Sequence, residues 1–170
     1  MKSKASIAGH PLHPALVAVP AGLIVWAFTA DIIYLATDQD PTWYDISYYS
    51  GIAAIVSALI AALPGFLDFF TLARGTNVEG MALVHMGSNL GMVALFVIAA
   101  VLQYDDGATD GGALTAVVVL HGLGLGLVSL AGWLGGEMVF RHHVAIIAEQ
   151  PQEQQKPATG GTGRAAPAGR

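Results

Sequence analysis

The chain holds six histidines and no cysteine. Its chemistry therefore rests on imidazole, carboxylate and amide groups. Disulfides, thiolate metal sites, iron–sulfur clusters and covalently attached c-type haem are excluded. Several of these polar residues stand in or beside strongly apolar sequence. His10 and His13 precede the first apolar run, Asp68 closes the second, His85 and Asn89 lie in the third, and Glu137 closes the fourth. Asp31 and His121 fall inside the first and fourth runs. An ionisable group within a bilayer costs several kcal/mol unless it is paired, so each of these residues marks a site.

The apolar runs themselves set the architecture. Hydrophobic residues make up 54% of the chain and charged residues 11%, far below the roughly one quarter that a soluble surface requires. Spanning about 30 Å of hydrocarbon takes roughly 20 apolar residues. Four segments are long enough: about 15–36, 46–72, 80–104 and 113–140. Short connections make sequential helices antiparallel, which predicts an all-α, integral membrane, up-down-up-down four-helix bundle. Residues 1–13 are read as an N-terminal segment. Residues 148–170, rich in Gln, Pro, Gly, Ala and Thr, are expected to be a disordered tail.

Charge orients the bundle. The seven Lys and Arg are Lys2, Lys4, Arg74, Arg141, Lys156, Arg164 and Arg170, while the other two connections carry only Asp38, Asp40 and Asp45, then Asp105, Asp106 and Asp110. The positive-inside rule then places both chain ends in the cytoplasm of a bacterial inner membrane. Tyr34, Trp43, Tyr44, Tyr48, Tyr49 and Tyr104 mark the outer interface, and Phe69, Phe70 and Phe140 the inner one. The first run is too long for a signal peptide and lacks a cleavage site, so it reads as a retained span. The net charge of −5 is not a partner signal, because the acid sits in outer loops and tail. No basic patch with interleaved aromatics suggests nucleic acid.

Depth along the helices sorts the polar residues. His85 lies about 8 Å inside the third span, with Asn89 one turn deeper on the same face. His10, His13, Asp68 and Glu137 arrive at the same cytoplasmic-side level, so all four helices contribute to one inner layer. Asp31 and His121 form a sparser layer in the outer half, where they could pair.

Three readings of the inner layer compete. In the first, the polar groups cap helix ends and tie the bundle together, making the protein a non-enzymatic packing or assembly element. Alternatively, His85 and His13 ligate haem b, with Asp68, Asn89 and Glu137 fixing the ring orientation. His121 is a less comfortable partner for His85, about 10 Å nearer the outer face, and Met86 and Met92 are weaker ligands still. In the third reading His13, His85, Asp68 and Glu137 hold a divalent ion such as Zn²⁺ or Fe²⁺, in a transporter-like element that would need a dimer. A quinone site or proton path is a further use of the layer. His142 and His143 read as a solvated helix end. Ser57, Ser88 and Ser129 sit in apolar helices, where serine bonds its own backbone or a neighbouring helix. No nucleophile–base set or phosphate loop points to an enzyme. Gly122 with Gly126, and Gly132 with Gly136, have the spacing of close helix contacts.

Four strings also carry a resemblance: Gly9-His10-Pro11-Leu12-His13-Pro14, Gly65-Phe66-Leu67-Asp68, His85-x-x-x-Asn89, and Gly132-Trp133-Leu134-Gly135-Gly136-Glu137. Together, over about residues 7–146, the chain resembles the bacterial membrane family labelled domain of unknown function 2231. The resemblance implies a compact four-span domain. Relatives joined to cytochrome c-type or Rieske-like modules imply redox company, in the form of a redox membrane partner or a homo-oligomer. His121 belongs to none of these strings, so the resemblance favours the inner layer.

Overall fold

The computed structural model describes residues 3–106 and 111–144. The expected disordered tail, 148–170, lies outside the described residues, as do Lys2 and Asp110. In chain order the elements are a hairpin of β1 (Ser6–Ile7) and β2 (His10–Pro11), a short helix α1 (Leu12–Leu16), and four long helices. These are α2 (Ala18–Ala36), α3 (Pro41–Phe69), α4 (Asn77–Asp106) and α5 (Gly111–Phe140).

Four helical spans of 25 to 30 residues are long and apolar enough to cross a bilayer, α1 and α2 counting as one. At 1.5 Å per residue each reaches about 40 Å, more than the hydrocarbon thickness. α2 packs on α3 and α4 on α5, and α3–α4 and α2–α5 contacts close the ring. The result is the all-α up-down-up-down bundle. Residues 3 and 144 share one face with the 70–76 loop, here the terminal face; the 37–40 loop lies at the opposite, distal face.

Sidedness of burial explains why this bundle belongs in lipid. Ala27, Ala30, Ala54, Ala61, Ala99 and Ala131 are all buried, and small interior residues let helix backbones approach closely. Large apolar side chains point outward instead: Leu63 is 69% exposed and Trp133 75% exposed. Such a surface would aggregate in water and is matched by acyl chains.

Local signals set the helix ends. α3 begins five residues before the expected 46, because Asp40 is an N-cap accepting from Thr42 N–H at 2.9 Å and Pro41 occupies the first helical position. α4 begins at Asn77 behind Thr76, whose Oγ1 accepts from Glu79 N–H, while Glu79 accepts from Gly75 N–H at 2.6 Å and pairs with Arg74 at 2.8 Å. α5 ends with His143 at φ 52, a left-handed residue that turns the chain back so that Val144 N–H donates to Met138 O, six residues earlier. At the N-terminus, Ala8 and Gly9 have φ of 50 and 82. That is the conformation of a two-residue hairpin turn, which favours glycine. Residues 6–11, expected only as part of a leading segment, therefore form a largely exposed hairpin.

Candidate functional site: two histidine layers

The terminal-side layer is built on His13 and His85. His13 comes from α1 and its Nδ1 bonds Ala61 O of α3 at 2.8 Å. His85 comes from α4 and its Nδ1 bonds Ala131 O of α5 at 2.8 Å. The two rings meet edge to face, with centroids 6.0 Å apart and planes at 81°. This contact joins the α1–α3 side of the bundle to the α4–α5 side.

Both rings sit in the same kind of slot. Four residues after each accepting carbonyl stands a glycine, Gly65 after Ala61 and Gly135 after Ala131. A Cβ on Gly65 would lie 2.7 Å from His13 Nδ1, and one on Gly135 would lie 3.4 Å from His85 Cε1. The missing side chains thus clear the space through which each imidazole reaches a backbone oxygen. Pro64 adds to this in α3, since it cannot donate to Ile60 O and so loosens the turn.

A carbonyl can only accept, so each Nδ1 is the donor. In a neutral imidazole that fixes the tautomer and leaves Nε2 with a free lone pair. Two such nitrogens on rings in contact are the donor type that a metal centre with two imidazole ligands uses, and the backbone carbonyls would be the orienting partners.

The other residues expected in this layer are engaged elsewhere. Asp68 accepts from Ser3 Oγ at 2.7 Å, Lys4 N–H at 2.9 Å and Ala5 N–H at 3.3 Å. It pins the N-terminal segment to the end of α3. Glu137 pairs with Arg141 one turn along α5 at 3.0 Å. Asn89 donates to His85 O of its own helix. His10 is exposed on the hairpin, its Nδ1 on Ala8 O at 3.1 Å. The expectation that Asp68, Asn89 and Glu137 orient the two histidine rings is therefore corrected: the orienting acceptors are backbone oxygens. Nor are His13, His85, Asp68 and Glu137 gathered as a four-ligand set. Among the described residues no three His, Asp or Glu side chains form a metal-holding group.

The second layer lies deeper and nearer the distal face. His121 Nδ1 meets Asp31 Oδ2 at 2.7 Å, and Ser47 Oγ donates to the other oxygen of the same carboxylate. The three residues are 1%, 3% and 1% exposed. Phe96 lies against the His121 ring, centroids 4.4 Å apart, and a Cβ on Gly51 would stand 3.6 Å from His121 Nε2. So α2, α3, α4 and α5 all contribute. Asp31 and His121 were visible in the sequence, whereas Ser47 was not, because the second span had been started at 46. The Asp40-Pro41 pair was the available signal, since it moves the helix start upward and Ser47 inward.

No curated protein and no solved structure matches the chain. Residues 9–148 match the family model described as predicted membrane protein (DUF2231), and the chain belongs to that family of membrane proteins.

Proposed function

We propose that this member of the family is a small redox-associated membrane subunit in which His13 and His85 would be the residues that hold haem b. The observation that carries this reading is the pair of rings itself. Each comes from a different side of the bundle, each has Nδ1 tied to a carbonyl, and each keeps an Nε2 lone pair. His13 and His85 are the residues that would hold such a group, on rings in contact with centroids 6.0 Å apart. A haem ligated in this way supplies one-electron transfer. The chain's own part is to fix both imidazole tautomers, present both lone pairs, and keep water away with α3 and α5.

The same reading takes the terminal face to be cytoplasmic in a bacterial inner membrane, because Lys4, Arg74 and Arg141 lie there and the 37–40 loop carries only acid. A redox membrane partner or a second copy of the chain would supply or receive the electron. A second reading has its own support: both Nδ1 atoms are satisfied and the rings pack edge to face, so the pair also serves as a clamp in a packing or assembly protein.

Colour separates the two. Protein expressed with sufficient haem and purified in mild detergent should show a Soret band, lost in His85→Ala and in His13→Ala. A colourless protein whose variants only unfold more readily would leave the clamp. Iron found by elemental analysis without a Soret band would also overturn the haem.

A further inference from the structure

We propose that Asp31 and His121 form a proton-binding site inside the membrane that exchanges with the distal face only. The charge arithmetic comes first. A carboxylate beside a neutral imidazole carries −1, and here both groups are all but fully buried at membrane depth. Among the described residues no cationic side chain other than His121 reaches Asp31, and its other hydrogen-bond partner there is the Ser47 hydroxyl. An uncompensated charge at that depth costs several kcal/mol. One proton, added to the imidazole or the carboxyl, takes the pair from −1 to 0.

The surroundings give the site a direction. Toward the terminal face lies a dry layer of Ile24, Ala27, Ala54, Met92 and Phe96, all buried and all without a polar side-chain group for a proton to use. Toward the distal face the next turns are polar along α2 and α3. Tyr34 follows Asp31 by one turn and Tyr44 precedes Ser47 by one turn, with their rings 5.7 Å apart. Tyr44 Oη donates to Gln103 O at 2.8 Å. Gln103 is itself buried, and its Nε2 is the one buried side-chain nitrogen or oxygen among the described residues with no hydrogen-bond partner. An orphaned buried donor calls for an acceptor, and this one lies on the distal side of the pair. Tyr34 from α2 and Tyr44 from α3 are the titratable side chains facing the pair from those elements. α4 presents Phe96, Ala99 and Gln103, and α5 presents Val117 and Leu114.

The test uses the full chain in phosphatidylcholine–phosphatidylglycerol liposomes, with ¹⁵N-labelled imidazoles read by NMR. The chain has no cysteine, so Asp38→Cys, labelled by a membrane-impermeant maleimide, reports which way the distal face points. The His121 resonance is assigned by its loss in His121→Gln. Stepping the pH on the distal side from about 5 to about 8 should move that resonance, and the same step on the terminal side should leave it unchanged. Asp31→Asn should abolish the response. Ser47→Ala keeps the pair but removes the second hydrogen bond to the carboxylate, so it should displace the midpoint, which also covers an Asp31→Asn protein that fails to fold. A His121 signal that follows the terminal side, follows both sides, or stays flat overturns the proposal. So does a midpoint untouched by Ser47→Ala.

Discussion

The two histidine layers differ in one respect from which most else follows: the acceptor on Nδ1. In the terminal-side layer it is a backbone carbonyl, Ala61 O or Ala131 O. In the deeper layer it is the Asp31 carboxylate. A carbonyl fixes the tautomer of a neutral ring and leaves the far nitrogen a ligand. A carboxylate also accepts from Nδ1 but sets a charge-bearing group against the ring. Identical side chains are thus set to different chemistry by what stands behind them. Burial runs in parallel, since the carbonyl-tied rings are half-buried and the carboxylate-tied ring is 1% exposed.

The comparison breaks most visibly in stability. Asp31→Ala leaves His121 and Ser47 buried with no partner, and removing one member of a buried pair costs about 3–5 kcal/mol. His85→Ala removes one hydrogen bond to a carbonyl that already lies within a helix, a loss on the order of 1 kcal/mol. Reversible unfolding in mixed micelles measures both. Equal losses would mean that the two layers do the same structural work and that the contrast drawn here is false.

Glycine slots sharpen it further. Gly65→Ala places a Cβ 2.7 Å from His13 Nδ1, so the ring must leave Ala61 O, at about 1–3 kcal/mol and with loss of any Soret band. Gly135→Ala meets His85 at 3.4 Å and should be tolerated, with a cost below about 1 kcal/mol. Gly124→Ala acts on the deeper layer instead. Its Cβ would stand 2.5 Å from Phe96 Cε2, displacing the ring that covers His121 while leaving the terminal-side absorption alone. A Soret band lost in Gly124→Ala but kept in Gly65→Ala would reverse the assignment of roles.

Much of this was legible before any coordinates. Hydropathy and run length give the four spans because a bilayer fixes the length that an apolar helix needs. Depth counting brings His13 and His85 to one level, and the rise per residue places Asp31 near His121. What the sequence concealed depends on rotation about helix axes and on contacts between distant segments. Asp68 was read as a partner of histidine because it arrives at the right depth. Its carboxylate instead faces Ser3, Lys4 and Ala5, brought there by a hairpin whose Ala8-Gly9 turn is a weak local signal. Glu137 likewise finds Arg141 four residues along its own helix, the nearest available cation. The alanine–glycine slots were present at a spacing of four residues, but only the positions of the rings reveal that they serve imidazoles rather than helix backbones.

The smallest effect concerns the distal end of α3, whose start carries Ser47 into the deeper layer. Asp40 caps that helix, and the Thr42 N–H it accepts holds its carboxyl below the ordinary carboxylate range. A carboxyl lowered in the folded state contributes stability that is present above its unfolded value of about 3.9 and is lost as pH falls through the folded value. Protection of the Thr42 and Trp43 amides against hydrogen exchange should therefore be constant near neutrality and decline only in acid. Asp40→Asn keeps the cap, since asparagine is as good a capping residue, but removes the titrating group. In that variant the protection should be retained at neutral pH and the acid-dependent decline should vanish. A decline that persists in Asp40→Asn would move the acid sensitivity of this end of the bundle to another group and uncouple it from the cap.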